Sequence, residues 1–170
     1  LRTNEPFGQF LAAGLTLTQT GARELAYIAA DAGTRAAVVW GELRDELAQT
    51  QGQVPDLKQL IVAGDARPGD VTLASLMTGH SGRFTAAETD RDEMAVIAYT
   101  SGSTGVPKGC VHGHRDVLAC ADSYGRHVLE PTEDDRFGGH PTMAFTFGTG
   151  GLLVIPFRFG ATSVLSGPFT

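Results

Sequence analysis

The sequence has few cysteines, no long apolar segment and no cluster of basic residues, and each absence excludes a class of protein. Two cysteines in 170 residues are too few for a disulfide-stabilised scaffold. No apolar stretch approaches the roughly 20 residues of a membrane-spanning helix. The longest candidate, GGLLVIPFRFG, is interrupted by Pro156 and Arg158. The net charge of −6 and the lack of any Lys/Arg run argue against nucleic acid as a partner.

The remaining composition, 42% apolar and 19% charged, is typical of a globular protein with a hydrophobic core. The chain opens without the basic, apolar and small-residue series of a secretory signal. Cys110 and Cys120 lie outside any CxxC spacing, so we expect reduced thiols in a cytoplasmic protein. A redox pair or a nucleophilic cysteine is the open alternative. The sequence leaves the oligomeric state open, a homo-oligomer included.

Helical and strand-like patterns alternate along the chain. Helices are predicted at 22–33, 42–51, within 68–77, at 115–129 and at 148–157. Strands are predicted at 34–40, 57–64, 93–100, 108–114, 134–140 and 161–167, and residues 78–92 form a polar loop. This alternation predicts an α/β fold, layered, with a largely parallel β-sheet and flanking helices.

The most informative stretch is YTSGSTGVPKG (99–109), which directly follows the apolar run MAVIA. Glycines let the backbone turn and let a ligand approach it closely, and such a turn can direct several N–H groups at one anion. The hydroxyl groups add further donors, and Lys108 adds a full positive charge. The pattern predicts a site for the phosphates of a nucleotide, formed by Thr100, Ser101, Gly102, Ser103, Thr104, Gly105 and Lys108. The alternative is an ordinary glycine-rich loop between strands.

Two common nucleotide motifs do not fit this stretch. Pro107 stands where a Walker loop has glycine, and the G-x-G-x-x-G spacing of dinucleotide sites is absent. The stretch instead resembles the phosphate-loop signature of the adenylate-forming superfamily, which includes acyl-CoA synthetases, peptide-synthetase adenylation domains and luciferases. Every position from Tyr99 to Gly109 matches that signature, and the weaker resemblance extends from about residue 22 onward.

The resemblance implies a two-step reaction that uses ATP, Mg²⁺ and coenzyme A. A carboxylic acid attacks ATP to give an acyl-adenylate and pyrophosphate, and the CoA thiol then displaces AMP. Lys108 would be the catalytic cation of the first step, through electrostatic stabilisation of the phosphates. The partners implied are therefore a small carboxylic acid, ATP and CoA, with neither nucleic acid nor membrane.

A second region, GGHPTMAFTFGTGGLLVIPFRFGATSVL (138–165), resembles the acyl-pocket segment of the benzoate and 2-aminobenzoate CoA-ligase branch. Matched onto this chain, the pocket residues are Phe145, Thr146, Phe147 and Gly148, with His140 a weaker candidate. Phenyl rings offer flat apolar walls to an aryl ring. The competing interpretation places Phe145 and Phe147 in the core, on alternating positions of a strand.

His112 and His114 lie two residues apart, which also suits a metal pair. No third ligand accompanies them at a recognised spacing, so we favour roles in packing and loop positioning and predict no metal site built from them.

Members of the superfamily are much longer than this chain, and several of their functional segments have no match in it. These are a Thr-Glu segment for Mg²⁺ and adenine, an aspartate for ribose, and a mobile C-terminal domain with its lysine. The expectation is that residues 1–170 are a single partial domain, an internal piece of the large N-terminal domain that is inactive alone. Fatty-acid or amino-acid activation and a catalytically idle scaffold are the alternatives to activation of an aryl acid.

Overall fold

Four parallel strands form the sheet of the first part of the chain. The structure is a computed structural model, and it describes residues 10–12, 21–83, 85–100, 105–139, 143 and 145–165. The chain divides into two compact units: Leu1–Ala87 with Tyr99–Gly109, and Glu88–Ala98 with Cys110–Thr170.

The sheet of the first unit has the strand order β1-β2-β3-β4. The strands are β1 (Phe10–Ala12), β2 (Ala36–Trp40), β3 (Gln59–Ala63) and β4 (Val71–Thr72), and every neighbouring pair is parallel. Parallel neighbours need long crossover connections, and helices usually supply them. Here α1 (Ala22–Asp31) connects β1 to β2, and α2 (Arg44–Gln53), preceded by a 3₁₀ turn (Gly41–Leu43), connects β2 to β3.

The core of the first unit lies between these two helices and the sheet. α1 contributes Leu25 and Ala29, one helical turn apart, and β2 contributes Ala37 and Val39 from alternate positions. Leu47 of α2 is also fully buried. The remaining members of this cluster are Val54, Leu57 and Val62. The helical spacing predicted within 22–33 is thereby confirmed, since one face of α1 packs into the core.

Further helices and strands follow β4 along the chain. After α3 (Leu73–Thr78) and the polar loop, β5 (Met94–Thr100) and β6 (Lys108–Gly113) form a two-stranded sheet. Next come α4 (His114–Cys120), which continues as a π-helical segment (Ala121–Leu129), and β7 (Arg136–Gly138). A second continuous helix runs through α5 (Thr146–Thr149), a π-helical segment (Gly150–Val154) and α6 (Ile155–Phe159), and β8 (Thr162–Val164) pairs in parallel with β7.

The helix predicted at 115–129 is confirmed, but only part of its predicted apolar side is buried. Tyr124 and Val128 are exposed, while Ala121 and Gly125 are buried. Gly125 lies four residues after Ala121 and has no side chain, so no apolar residue in the sequence marks it as part of the buried face. The predicted α/β class with a largely parallel sheet is confirmed: the described pairings β1–β2, β2–β3, β3–β4 and β7–β8 are all parallel.

Gly125 is needed for a close helix contact in the second unit. A Cβ at this position would lie 2.9 Å from Cε2 of Phe159 and 3.2 Å from Cγ2 of Ile155. The Arg126 guanidinium also lies over the Phe159 ring, with its Cζ 5.5 Å from the ring centroid. The ring therefore cannot move away from an added methyl group without loss of that contact.

We expect Gly125→Ala to destabilise the protein by about 1–3 kcal/mol, the usual range for overpacking. The measurement is the urea dependence of unfolding. The matched control is Gly151→Ala, because nothing lies within 4 Å of a Cβ built at Gly151. This control should be neutral or slightly stabilising, since alanine favours helix over glycine. Equal stability of the two variants would contradict the close contact at Gly125.

Within the described residues, no helix has the length and apolar character needed to cross a membrane.

Candidate functional site

The predicted phosphate loop connects the two paired strands β5 and β6. Tyr99 and Thr100 are the last two residues of β5, and Lys108 is the first residue of β6. Ser101, Gly102, Ser103 and Thr104 lie outside the described residues. The apolar run MAVIA thus forms the strand predicted for it, and the glycine- and hydroxyl-rich stretch begins where that strand ends.

Gly105 is the point at which the chain turns towards β6. Its φ of +80° lies in the left-handed region, which glycine adopts without the steric cost of a side chain. Nothing lies within 4 Å of a Cβ built there, so the requirement is for the backbone conformation and not for space. Pro107 then precedes Lys108 and restricts the backbone further. Together these residues fix the direction from which the chain enters β6.

Lys108 is exposed and lies directly after this turn. Among the described residues, none of the ion pairs involves Lys108. An ammonium group without a carboxylate partner is available for an anionic ligand, and a phosphate oxygen is a strong acceptor for it. The geometry therefore suits the predicted role, which stays a prediction for Lys108 as for the other site residues.

A contact that the sequence did not indicate holds the start of the loop. The hydroxyl of Tyr99 donates a hydrogen bond to Oδ2 of Asp31, the last residue of α1, at 2.6 Å. Burial of the half-buried ring raises the pKa of Tyr99 well above its usual range, and the hydrogen bond and charge of Asp31 raise it further. The two residues are 68 positions apart. No local pattern could therefore have paired them.

The residues predicted for the acyl pocket lie at the start of a helix in the second unit. Phe145 caps α5, whose first three residues are Thr146, Phe147 and Gly148. Phe145 is 55% exposed and Phe147 is 76% exposed, whereas Gly148 is buried. The competing interpretation, core residues on a strand, is wrong because both residues are exposed, Phe147 lies within α5 and Phe145 caps that helix. His140 lies outside the described residues.

The fold places these two predicted groups in different parts of the chain. Tyr99–Gly109 belongs to the first unit, and Phe145 to Gly148 belong to the second. Each group is therefore supported by its own surroundings: the loop by β5, β6 and α1, and the aromatic pair by the long helix that begins at α5.

The histidines and cysteines are reactive groups outside both predicted sites. His112 is exposed on β6 and His114 is half-buried at the start of α4. The described parts of the chain contain no group of three His, Cys, Asp or Glu side chains that could hold a metal ion. Cys110 and Cys120 are both exposed, and neither is in a disulfide.

Comparisons with known proteins agree with the resemblance of the loop motif. The chain is 41% identical over 139 residues to the benzoate–CoA ligase of Thauera aromatica, which covers 82% of this chain and 26% of that protein. It is 30% identical over 148 residues to the 4-hydroxybenzoate–CoA/benzoate–CoA ligase of Rhodopseudomonas palustris, covering 87% of this chain and 27% of that protein.

A solved structure shows the same similarity in three dimensions. The anthranilate CoA ligase AuaEII, crystallised with anthranoyl-AMP, superposes with a TM-score of 0.81 at 31% identity, covering 89% of this chain and 30% of that one. The chain thus spans between a quarter and a third of the length of these relatives. The family model for AMP-binding enzymes matches residues 13–170. The chain belongs to the AMP-binding enzyme family.

Proposed function

We propose that the gene product containing this chain is an ATP-dependent acid–CoA ligase for an aryl carboxylate of the benzoate or 2-aminobenzoate class. The observation that carries the proposal is the complete YTSGSTGVPKG motif, set between two paired strands, with a lysine at its end that forms no ion pair within the described residues. The similarity to two benzoate–CoA ligases over more than four-fifths of the chain supports the choice of acid.

The proposed reaction has two steps. A carboxylate oxygen bonds to the α-phosphorus of ATP as the bond to the oxygen that bridges to the β-phosphorus breaks, and pyrophosphate leaves with that electron pair. The sulfur of CoA, after loss of its proton, then bonds to the carbonyl carbon of the acyl-adenylate. AMP leaves with the electrons of the carbon–oxygen bond, and the product is a CoA thioester.

The loop residues of this chain would act on the phosphates in the first step. Negative charge grows on the bridging oxygen as pyrophosphate departs, and a fixed cation close to the β- and γ-phosphates stabilises it. Lys108 provides such a cation, and the turn at Gly105 holds it in a defined direction. The backbone N–H groups and hydroxyls of the loop would add hydrogen bonds that orient the triphosphate before reaction.

Mg²⁺ would enter the site bound to the nucleotide. The described residues offer no cluster of three potential metal ligands, and Mg²⁺ commonly uses substrate phosphates and water as most of its ligands. The ion neutralises phosphate charge when bound. The residues described in this chain contribute the ammonium group of Lys108 and the turn at Gly105.

Phe145 and Phe147 are the proposed contacts to the aryl ring of the acid. Two exposed phenyl rings two residues apart at a helix start are costly in water, so a partner that covers them is favoured. An aryl substrate can stack against such rings in an offset or edge-to-face arrangement. Gly148, directly after them, is buried and adds no side chain beside the rings.

We further propose that these 170 residues are part of a longer ligase, since they span about a quarter of the relatives' length. The isolated chain should bind ATP weakly and form no acyl-adenylate. Acyl-adenylate formation by the isolated chain at the rate of the complete gene product would contradict this.

The decisive experiment for the substrate is ATP–pyrophosphate exchange and CoA-thioester formation by the complete gene product with a panel of acids. Benzoate and 2-aminobenzoate should give values of kcat/KM at least about tenfold above those of medium-chain fatty acids, a difference of about 1.4 kcal/mol. Preference for the aliphatic acids would reject the aryl pocket. Exchange with amino acids alone would assign the protein to amino-acid activation, and absence of exchange with every acid would indicate an idle scaffold.

Phe147→Ala tests the pocket within the same assay. It should lower kcat/KM for benzoate by about 10- to 100-fold through loss of a ring contact, with the KM for ATP unchanged. Phe157→Ala is the matched control, because Phe157 is a similarly exposed phenylalanine (67%) near the other end of the same helix. Equal losses in the two variants would contradict a substrate contact at Phe147.

A further inference from the structure

We propose that Asp31 is a positioning residue of the nucleotide site, which acts through Tyr99 to fix where the phosphate loop leaves β5. The inference rests on the proposed function, because it assigns a task to the loop in binding ATP. The residue it adds, Asp31, belongs to α1. This helix is far from the loop in sequence and is not part of the loop motif.

The contact is placed where it can control the loop. Tyr99 directly precedes Thr100, the last residue of β5 and the first hydroxyl of the predicted phosphate site. The hydrogen bond from the Tyr99 hydroxyl to Oδ2 of Asp31 is short, 2.6 Å, and its acceptor is a carboxylate. Hydrogen bonds to charged acceptors are shorter and stronger than neutral ones. A fixed Tyr99 ring limits the backbone at the point from which the loop departs.

Asp31 does not contribute to the stability of α1 itself. It is the last residue of the helix, and no basic residue lies in that last turn. A carboxylate there faces the negative end of the helix dipole, which is the unfavourable end for an acidic group. Within the described residues Asp31 takes part in none of the ion pairs. Its evident partner is the Tyr99 hydroxyl.

The surroundings of the contact keep Tyr99 as the hydrogen-bond donor and Asp31 as the acceptor. Tyr27 lies four residues before Asp31 and therefore on the same face of α1. Burial and the surrounding negative charge keep the Tyr99 hydroxyl protonated, as its raised pKa reflects. Tyr99 is therefore held as a donor, and Asp31 accepts. Removal of either partner frees the ring and removes its restraint on the backbone at Tyr99 and Thr100.

The test is the kinetics of acyl-adenylate formation by variants of the complete gene product. Tyr99→Phe keeps the ring and removes the donor; Asp31→Ala removes the acceptor. Each should raise the KM for ATP by about 3- to 10-fold, the size of one net hydrogen bond, with kcat and the KM for the acid unchanged. The double variant should be no worse than either single one, because both remove the same interaction.

Two controls separate positioning from general stability. Asp31→Asn keeps an oxygen acceptor without the charge, so its KM for ATP should lie between those of wild type and Asp31→Ala. Tyr27→Phe changes the same face of α1 but leaves the Tyr99–Asp31 bond intact, so it should have no effect. Thermal unfolding of every variant identifies any that is simply misfolded. If Asp31→Ala does not fold, Tyr99→Phe, which preserves the packed ring, decides the question.

The outcomes are distinct. An unchanged KM for ATP in Tyr99→Phe, with or without a lower unfolding temperature, overturns the inference and leaves the proposed function standing. Multiplicative effects in the double variant overturn it too, because the residues would then act separately. Wild-type protein that shows no pyrophosphate exchange with any carboxylic acid overturns the proposed function, and this inference with it.

Discussion

Lys108→Ala in the complete gene product is expected to lower kcat/KM for ATP by roughly 10- to 150-fold. The range corresponds to about 1.5–3 kcal/mol, the contribution of a hydrogen bond to a charged group. The structure supports this size because Lys108 is exposed at the end of the loop and, within the described residues, has no carboxylate in an ion pair with it. Initial-rate measurements of pyrophosphate exchange at varied ATP would give the value.

Two further variants make that result specific. Lys58 is the other lysine of the chain and lies before β3 with its ammonium group donating to the carbonyl of Pro55. Lys58→Ala removes the same charge and should leave kcat/KM for ATP unchanged. Lys108→Arg keeps the charge with a different shape and should recover part of the loss. An equal effect of the two alanine variants, or none at Lys108, would remove the proposed role.

Much of the fold follows from local patterns that the sequence displays directly. β2 and β3 are short β-branched runs, and α1 has apolar residues one turn apart, so each element has one dominant interpretation. Their parallel pairing follows from the alternation of strands with helices. The apolar spacing in the sequence does not identify the buried face in the second half of the helix at 114–129. The π-helical half of the helix at 114–129 buries Gly125 and exposes Tyr124, and a glycine gives no hydrophobic signal.

Part of the candidate site could likewise be predicted from the sequence, and part could not. The loop motif is a continuous string, so its residues could be assigned from the sequence, and its position between two strands could be predicted too. The Tyr99–Asp31 contact joins residues 68 positions apart and depends on how Tyr99 packs against α1 within the first unit. The exposure of Phe145 and Phe147 also depends on packing, since an apolar string on a strand and one at a helix start have similar compositions.

The carboxyl end of the first unit's sheet depends on a glycine for a different reason. Gly41 directly follows Trp40 of β2, which lies opposite Ala63 of β3. A Cβ built at Gly41 would overlap the carbonyl oxygen of Asp65 and lie 2.8 Å from its carbonyl carbon. These are backbone atoms and cannot rotate away as the end of a side chain can. The two connections after β2 and β3 must therefore separate if any side chain is added.

Gly41→Ala should consequently destabilise the complete gene product by about 3 kcal/mol or more, at the upper end of overpacking effects. In a unit of about 100 residues, such as the first one, a loss of about 3 kcal/mol corresponds to a fall of roughly 12–24 °C in the unfolding temperature. Gly52→Ala in α2 is the matched control, because Gly52 is an exposed helical glycine with nothing within 4 Å of a built Cβ. It should raise stability by up to about 1 kcal/mol through the better helix propensity of alanine. Because Gly41 lies outside the loop motif, any Gly41→Ala protein that remains folded should keep its KM for ATP. Either of two results would contradict the claim that Gly41 is required for this close approach of the two backbones. One is a raised KM for ATP in folded Gly41→Ala protein, and the other is stability equal to that of Gly52→Ala.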